Sequence, residues 1–234
     1  MSASHDVERY RQGYPGLQDN PEADRNLMFY QGKIKSEPMG DLIDNIHKEW
    51  HGDYKRLEIH HGYIQWLFPI REMGMNWDSQ PLQKFEANKI KASPELMERF
   101  IRSYRLMLDF YGMVLENEST GKIKRGSNYR DRYDNLENRA HNWLRITRIL
   151  KCMGELGLEH YKIKFIRHVL REFWENELRQ CFQSLKNYWI PVIKSKDERE
   201  KIYAYFEELR ARNEEKGETK GKKENGQQSG KEQS

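Results

Sequence analysis

The chain has 234 residues, and its net charge of +4, from 41 Lys and Arg against 37 Asp and Glu, is too small to indicate a nucleic-acid partner by itself. The length suits a single domain, and two cysteines without an apolar leader favour a reducing intracellular compartment over a disulfide-bonded secreted protein. Since no segment reaches the roughly 20 apolar residues of a membrane-spanning helix, we expect any membrane association to be peripheral.

The N-terminal part of the chain begins with an arm and then becomes helical. Residues 1–25 carry glycine and proline turn signals, which predict an arm that leads into the domain. Apolar residues between Gly40 and Gly52 follow the three-and-four spacing of one helical face, and this spacing predicts a helix. A second helix is predicted to begin near Tyr54.

Residues 60–69 form the densest apolar and aromatic segment, and they predict a buried core element around which the rest of the chain packs. A continuous apolar run of this length suits a strand or a buried helix, and the flanking Gly62 and Pro69 favour the helix. A buried amide or phenol without a partner costs about 1–3 kcal/mol. Tyr63 and Gln65 should therefore be hydrogen-bonded, either to the backbone or to a ligand.

Turn signals continue to about residue 81, and a well-marked helix follows. Ser93 and Pro94 provide a capping hydroxyl and a proline in the first turn, and Gly112 ends the helix. Residues 116–128 have no periodicity and predict a loop. The pattern then predicts one helix over about 130–153.

The remaining sequence predicts further helices and a tail. A helical pattern runs over 161–189, and a capping box at 195–198 begins the last amphipathic helix. From 211 the sequence has no core-forming residues and predicts a disordered, neutral tail to 234. We therefore predict an all-α protein, with an arm (1–25), a single domain of orthogonally packed helices (26–210) and a disordered tail (211–234).

The sequence offers little support for catalysis or metal binding. His47 and His51 lie four apart on a predicted helix, but a zinc site would need a third ligand and a supporting motif that are not present. Phosphate-binding loops and nucleophile elbows are also missing. Neighbouring carboxylates such as Glu72 and Asp78 are better explained as solvated turn residues. We expect no enzymatic activity, no metal and no cofactor.

Two groups of basic residues are candidates for ligand binding. Arg145, Arg148 and Lys151 recur every third residue on one predicted helix, and arginine's planar fork suits a carboxylate or a phosphate. The alternative is a solvated face paired with acids such as Glu137 or Glu155. The second group surrounds the predicted loop and consists of Lys122, Lys124, Arg125, Arg130 and Arg132. Its charge suits nucleic acid or anionic lipid, but no nucleic-acid motif accompanies it.

Three blocks resemble the opioid growth factor receptor domain family. In the family signature an acidic residue and a His lead into Tyr-Ile-Gln-Trp-Leu-Phe-Pro, followed by Arg-Glu, a Gly and Asn-Trp. The matching positions are Glu58, His61, residues 63–69, Arg71, Glu72, Gly74, Asn76 and Trp77. Residues 142–157 and 26–30 are similar to two further blocks, so the resemblance covers roughly 7–205.

This resemblance implies a biological role. It implies a non-enzymatic protein of the cytoplasm and nucleus, with a perinuclear location, that binds the opioid growth factor Met-enkephalin and restrains cell proliferation. It implies no relation to seven-helix opioid receptors. Peripheral association with the nuclear membrane and contact with nuclear import factors are further expectations, although lysines 220, 222 and 223 form at most a weak import signal.

The sequence leads to a peptide-site hypothesis and to one competing hypothesis. The candidate peptide-binding residues are Tyr63, Gln65, Trp66, Trp77, Asn142, Arg145 and Arg148. Aromatic contacts would hold the peptide, and Arg145 or Arg148, the latter on a predicted polar face, would hold its carboxylate. Against this, Trp66, Trp77 and Trp143 are more simply explained as core. The competing hypothesis is a helical module that binds protein, or less plausibly nucleic acid, through the basic loop 122–132.

Overall fold

The computed structural model describes residues 3–175 and 177–228, and the side chains of 5–175 and 177–215. These residues are mainly helical, with one two-stranded sheet. The α-helices are α1 (Ala3–Arg11), α2 (Arg25–Tyr30), α3 (Ile43–Glu49), α4 (Tyr54–Ile59), α5 (Tyr63–Leu67), α6 (Lys84–Ala92), α7 (Pro94–Phe110), α8 (Tyr129–Asn138), α9 (His141–Glu155), α10 (Glu159–Trp174), α11 (Phe182–Ser184) and α12 (Lys196–Gln228). A π-helical turn, Leu185–Trp189, follows α11, and the antiparallel strands β1 (Met113–Asn117) and β2 (Lys122–Arg125) separate α7 from α8. The predicted all-α class is confirmed.

The central run forms α5, which lies in the hydrophobic core as predicted. Tyr63, Trp66 and Phe68 are fully buried. The Trp66 ring lies 5.4 Å from that of Phe29 on α2, and the Phe68 ring lies 5.8 Å from that of Phe100 on α7. Such offset or edge-on ring contacts add to the free energy gained by burying the rings. The run therefore holds α2 and α7 together.

Helix α7 begins and ends where the sequence predicts. The Ser93 side chain accepts a hydrogen bond from the Leu96 amide (3.4 Å), and Pro94 occupies the first turn, where its missing N–H leaves no bond unmade. Gly112, with a φ of +79°, lies just past the C-terminal end. A residue without a Cβ adopts this left-handed conformation without a steric penalty.

Residues 116–128, predicted as a loop, include part of a β-hairpin. The Asn117 side chain closes the turn by accepting bonds from the next residues, and Gly121 supplies a positive φ of +71°. Leu115 and Ile123 face each other across the strands and are buried against the helices. The prediction was wrong because so few alternating residues give no detectable period.

The single helix predicted over 130–153 is divided between α8 and α9. Arg139, between them, has φ −127° and ψ +79°, which is not helical. The Trp143 indole N–H donates to the Leu136 carbonyl (2.9 Å), which satisfies one of the free acceptors at the end of α8. The sequence did not reveal this break because Arg139 is neither glycine nor proline.

The helical pattern predicted over 161–189 is also interrupted. Helix α10 ends at Trp174, and the Glu137 carboxylate accepts bonds from the backbone amides of Arg179 and Gln180 (3.0 and 2.9 Å). The stacked rings of Phe173 and Phe182, 4.5 Å apart, lie on either side of this bend.

Helix α6 was not predicted from the sequence at all.

The N-terminal arm packs closely against the helical core. Val7, Tyr10 and Tyr14 are buried in the core. The Tyr10 hydroxyl donates to the Lys151 carbonyl (3.0 Å), and an Arg11 guanidinium N–H donates to the Pro191 carbonyl (2.9 Å). These two hydrogen bonds hold the arm against α9 and against the segment that contains Pro191.

At the other end, α12 continues past residue 211, where the predicted tail begins. Residues 211–215 are exposed, side chains from 216 and all of residues 229–234 lie outside the described part, and the tail's disorder stays a prediction. Among the described helices, none has the length and apolar character needed to span a membrane.

Candidate functional site

Two aromatic residues of the predicted peptide site are parts of the core. Tyr63 and Trp66 are fully buried. The Tyr63 hydroxyl donates to the Leu57 carbonyl (3.0 Å), and the Trp66 indole N–H donates to the Glu37 carbonyl (2.9 Å). Of the two partners that the sequence allowed for a buried phenol, backbone or ligand, the structure shows the backbone.

Gln65 fixes the loop that follows the central run. With its amide oxygen turned toward the loop, it accepts hydrogen bonds from the Met75 and Asn76 amides (3.2 and 2.5 Å), and its nitrogen donates to the Ser79 hydroxyl (3.2 Å). A Cβ added at Gly74 would lie 1.7 Å from the terminal amide group of Gln65. Any other residue at position 74 would displace the Gln65 side chain, which supports residues 73–77.

Arg145 stabilises the end of α4. It is buried, and its guanidinium donates to the carbonyls of Leu57 (2.8 Å), Glu58 (3.2 Å) and His60 (3.2 Å). The last carbonyls of a helix have no partner within the helix, and Arg145 supplies one for them. Buried Asn142 completes the arrangement by accepting from Arg145 (3.1 Å) and donating to the Glu58 carboxylate (3.3 Å). The Arg145 donors are already engaged, so a peptide carboxylate would have to displace these carbonyl acceptors.

Arg148 is half-buried, and its Nε donates to the Phe68 carbonyl (2.9 Å). Its predicted position on a polar face was wrong, because the side chain passes inward beneath Gly74. Burial lowers the pKa of Arg148 to about 10. Of the seven predicted residues, all within the described part, only Trp77 is mainly exposed, at 82%. The seven do not line one accessible surface.

Lys151, the third residue of the predicted basic stripe, lies in a different environment from Arg145 and Arg148. The buried Lys151 ammonium lies 2.9 Å from the Asp6 carboxylate and 2.8 Å from that of Glu72. Asp6 belongs to the arm and Glu72 to the family signature. One buried cation therefore joins the arm, the central segment and α9.

At this junction the structure has a cavity of about 560 Å³, here called the arm pocket. Its lining combines charged, polar and apolar residues from the arm, from residues 71–73 and from 81–83. They are Asp6, Arg9, Tyr14, Leu17, Gln18, Asn20, Arg71, Glu72, Met73, Pro81, Leu82 and Gln83. The volume lies in the range of about 300–1,000 Å³ that small-ligand sites occupy.

The charges of the arm pocket are partly paired. The Tyr14 hydroxyl donates to the Glu72 carboxylate (2.7 Å), and burial together with that carboxylate raises the pKa of Tyr14. Arg71, which is buried, pairs with Asp19 (2.8 Å). Arg9 is half-exposed, and its side chain has no hydrogen-bond or ion-pair partner among the described residues. The pocket thus offers an available cation near two carboxylates, those of Asp6 and Glu72.

A second, more open cavity of about 620 Å³ lies beside the end of α4. We call it the histidine groove. Its lining residues are Pro38, Met39, Asp53, Lys55, Arg56, Ile59, His60, His61 and Gly62. Its lining residues do not overlap with those of the arm pocket, so the two cavities are separate candidate sites.

The basic loop proposed for the competing hypothesis is largely neutralised within the chain. Lys122 and Lys124 share the Glu116 carboxylate (2.7 and 3.5 Å), and Arg125 lies 2.6 Å from Glu172 and 2.5 Å from Glu175. The two remaining arginines of the set contact aromatic rings. They are Arg130, against Tyr129, and Arg132, against Tyr54. This surface offers less free positive charge than its sequence indicates.

The histidines considered for zinc do not converge. The His47 ring nitrogen Nε2 lies 2.8 Å from the Ser103 hydroxyl, and His51 faces Asp109 at 3.9 Å. In the described part of the chain there is no group of three or more His, Cys, Asp or Glu side chains placed to hold a metal ion.

Comparison with known proteins shows to which family this chain belongs. A model of the opioid growth factor receptor conserved region matches residues 19–223. The rat opioid growth factor receptor is 43% identical over 216 residues, which is 91% of this chain and 37% of that protein. The chain belongs to the opioid growth factor receptor family. The human receptor is 42% identical over 214 residues (90% of this chain, 32% of the receptor), and mouse opioid growth factor receptor-like protein 1 is 38% identical over 206 residues (87% and 44%).

The chain thus spans less than half the length of these relatives, and no solved structure matches it. Within the opioid growth factor receptor region, the C-terminal block contacts the central block through three basic side chains. Arg145 binds the end of α4, Arg148 binds the Phe68 carbonyl, and Lys151 binds Glu72. The first two contacts support the fold, whereas Glu72 in the third also lines the arm pocket.

The arm pocket was not predicted from the sequence, because its lining residues come from separate segments. Asp6, Arg9 and Tyr14 lie on the arm, before the first residue of the family match at 19. Arg71 and Glu72 belong to the quoted signature, but nothing in their spacing indicates that the arm folds over them. The presence of Tyr10 and Tyr14 was the signal available in the sequence, because aromatic residues in an otherwise turn-rich arm favour docking.

Proposed function

We propose that this chain is a non-enzymatic peptide-binding protein whose site is the arm pocket, and that its ligand is a short peptide with free termini such as the opioid growth factor Met-enkephalin. The family supplies the class of ligand, through the name of its receptors. The pocket supplies the chemistry, because Arg9, whose guanidinium has no partner in the described part of the chain, shares the cavity lining with the carboxylates of Asp6 and Glu72. This juxtaposition of opposite charges is the observation that carries the proposal.

A short peptide with free ends carries an ammonium group and a carboxylate, and the arm pocket suits both. Arg9 can bind the carboxylate through its planar fork, and the carboxylates of Asp6 and Glu72 lie in the same lining for the ammonium. Leu17 and Met73 give apolar contacts for side chains between the ends. The polar groups thus fix the orientation, and the apolar surface contributes burial.

The wider role follows from the family and is likewise a proposal. We propose that the protein acts in the cytoplasm and nucleus, with a perinuclear location, and restrains cell proliferation when peptide is bound. Nuclear import factors are proposed partners, and association with the nuclear membrane would be peripheral. The partly neutralised loop 122–132 gives no particular support to a nucleic-acid role.

Calorimetric titration of the full chain with Met-enkephalin tests the proposal. The free-ended peptide should bind saturably, and the same peptide with an acetylated N-terminus and an amidated C-terminus should bind much more weakly. Arg9→Ala should weaken binding by roughly 10- to 100-fold, because a hydrogen bond to a charged group contributes about 1.5–3 kcal/mol. Since Arg9 has no partner among the described residues, the substitution should leave the fold intact.

Arg139→Ala is the matched control, since the Arg139 side chain is exposed, has no partner within the described residues and lines neither cavity. It should bind the peptide as the unmodified protein does. Equal binding of free and end-blocked peptide, or no effect of Arg9→Ala, would place the peptide outside the arm pocket. No heat with the free peptide would contradict peptide binding itself.

A further inference from the structure

The histidine groove carries exposed apolar side chains that the peptide proposal does not use. Met39 is 87% exposed and Ile59 is 64% exposed, with Pro38 beside them. Large apolar groups that lie together on a surface mark interaction sites more often than scattered ones do. The groove therefore requires an explanation of its own.

The loop of residues 73–77 extends this apolar surface. The Asn76 side-chain amide donates to the carbonyls of Glu37 (2.6 Å) and Gly62 (3.2 Å), which holds the loop against the edge of the groove. The neighbouring side chains point to solvent, with Met75 90% exposed and Trp77 82% exposed. Tryptophan and methionine are enriched at protein interfaces, and tryptophan is a frequent energetic anchor there.

The groove is preformed by hydrogen bonds beneath it. His60 donates from Nε2 to the Met39 carbonyl (3.3 Å) and accepts at Nδ1 from the Gly62 amide (3.2 Å). The Trp66 indole holds the Glu37 carbonyl from below. Both walls are therefore fixed without a ligand, which reduces the ordering cost of binding.

The charges around the groove favour an acidic occupant. Lys55 is exposed and has no partner among the described residues, and the Arg56 guanidinium lies 4.0 Å from the Trp50 ring, without a carboxylate in the described part. The one acid of the lining, Asp53, already accepts the Arg56 amide (3.0 Å) as the cap of α4. Positive charge is thus in excess beside an apolar surface.

We propose that the histidine groove, with Met75 and Trp77 at its edge, is a docking surface for an acidic, apolar segment of a partner protein. Leucine or methionine side chains of that segment would cover Met39 and Ile59, and its carboxylates would face Lys55 and Arg56. Opposite charges of this kind speed association and fix orientation. The proposal is independent of peptide binding in the arm pocket, because the described lining residues of the two cavities do not overlap.

The test uses a fluorescein-labelled peptide of about 15 residues, with Leu at helical spacing and Glu at the other positions. The full chain should raise its anisotropy saturably, and a second peptide with Lys in place of Glu should bind much more weakly. Ile59→Asp and Lys55→Glu should each weaken binding of the acidic peptide about tenfold or more. Lys196→Glu, at an exposed lysine of α12, is the control and should bind normally.

A second readout needs no mutation. Trp50, Trp66 and Trp189 are fully buried and Trp143 and Trp174 are half-buried, so Trp77 is the tryptophan most accessible to acrylamide quenching of fluorescence. Bound acidic peptide should reduce this quenching, and excess Met-enkephalin should leave the reduction unchanged. Arg9→Ala should bind the acidic peptide normally, which separates this proposal from the peptide site.

Equal binding of the acidic and basic peptides, or unchanged binding by both groove variants, would overturn the proposal. A concentration-dependent dimer that Ile59→Asp dissociates would overturn it in favour of a second copy of the chain. Displacement of the acidic peptide by phosphatidylserine vesicles, but not by phosphatidylcholine vesicles, would overturn it in favour of a lipid surface.

Discussion

Two tryptophans of the same signature have opposite environments. Trp66, in α5, is fully buried and donates its indole N–H to the Glu37 carbonyl. Trp77, in the loop of residues 73–77, is 82% exposed, and no hydrogen bond from its indole occurs in the described part. The core interpretation of the signature tryptophans is therefore confirmed for Trp66 and wrong for Trp77.

The contrast shows that the signature has a supporting half and a presented half. Residues 63–68 fill the core, and Gln65 then holds the loop that carries Met75 and Trp77 outward. A glycine at 74 lets the two halves approach, since a Cβ there would overlap Gln65. Each half contains a tryptophan, so the presence of this residue alone cannot separate them.

Loss of the buried ring should have the largest effect. Trp66→Ala removes a fully buried side chain between α2 and α5, and we expect it to lower the free energy of unfolding by roughly 3–5 kcal/mol through the cavity it leaves. Urea unfolding followed by circular dichroism measures this change. A loss below about 1 kcal/mol would mean that the core closes around the missing ring.

Arg145→Ala should rank next, because it removes support from the segment that leads into α5. The substitution leaves the carbonyls of Glu58 and His60 without a donor and leaves the Leu57 carbonyl with the Tyr63 hydroxyl alone, and we expect a loss of about 3 kcal/mol. Arg139→Ala, at an exposed arginine of the same region, is the control and should change stability by less than about 0.5 kcal/mol. If both variants have the same free energy of unfolding, the contacts of Arg145 at the end of α4 do not contribute to stability.

These two residues also show how far sequence can predict this fold. Trp66 lies in a continuous apolar run, and a run of that kind predicts burial wherever it occurs. Arg145 lies in a basic stripe, which usually indicates a solvated face, yet its partners are carbonyls more than eighty positions away on α4. Local periodicity reports the helix and its apolar side, but it carries no information on which distant backbone groups need a donor.

The candidate sites were less predictable than the helices for the same reason. The arm pocket is lined by Asp6 and Glu72, which come from distant segments and are both paired with Lys151 of a third. The histidine groove joins Met39 with Ile59 around His60, and none of these is unusual in its own segment. Caps such as Ser93 and stops such as Gly112 act locally and were predicted, whereas cavities depend on how the helices meet.

The Glu58 carboxylate gives a pH-dependent measure of the contacts at the end of α4, just before the supporting half of the signature. Its burial opposes ionisation, but hydrogen bonds from Asn135 and Asn142, with His141 and Arg145 nearby, outweigh this and lower the pKa of Glu58. A carboxyl group with a lowered pKa in the folded state stabilises the protein above its unfolded pKa, about 4.5, and loses that contribution as the pH falls through the folded value. The contribution should thus be complete at neutral pH.

Glu58→Gln should therefore destabilise the protein by about 1–2 kcal/mol near pH 7, and the difference from the unmodified protein should shrink below about pH 4. Parallel urea unfolding curves at both pH values measure it. Glu98→Gln, at an exposed acid of α7, is the comparison and should change the free energy of unfolding by less than about 0.5 kcal/mol at pH 7. A difference that stays constant with pH would assign the Glu58 effect to packing rather than to its charge.

Trp77→Ala should have the smallest effect on stability, less than about 0.5 kcal/mol, because an exposed side chain gives up little burial when it is removed. The loop itself should persist, since Gln65 and Asn76 hold its backbone and neither bond involves the indole. Urea unfolding and acrylamide quenching together check this: the midpoint should stay fixed while the quenchable fluorescence falls. A large loss of stability would show that Trp77 packs against the surface in solution. Its aromatic ring would then belong to the supporting half, and the groove would lose the side chain that marks its edge.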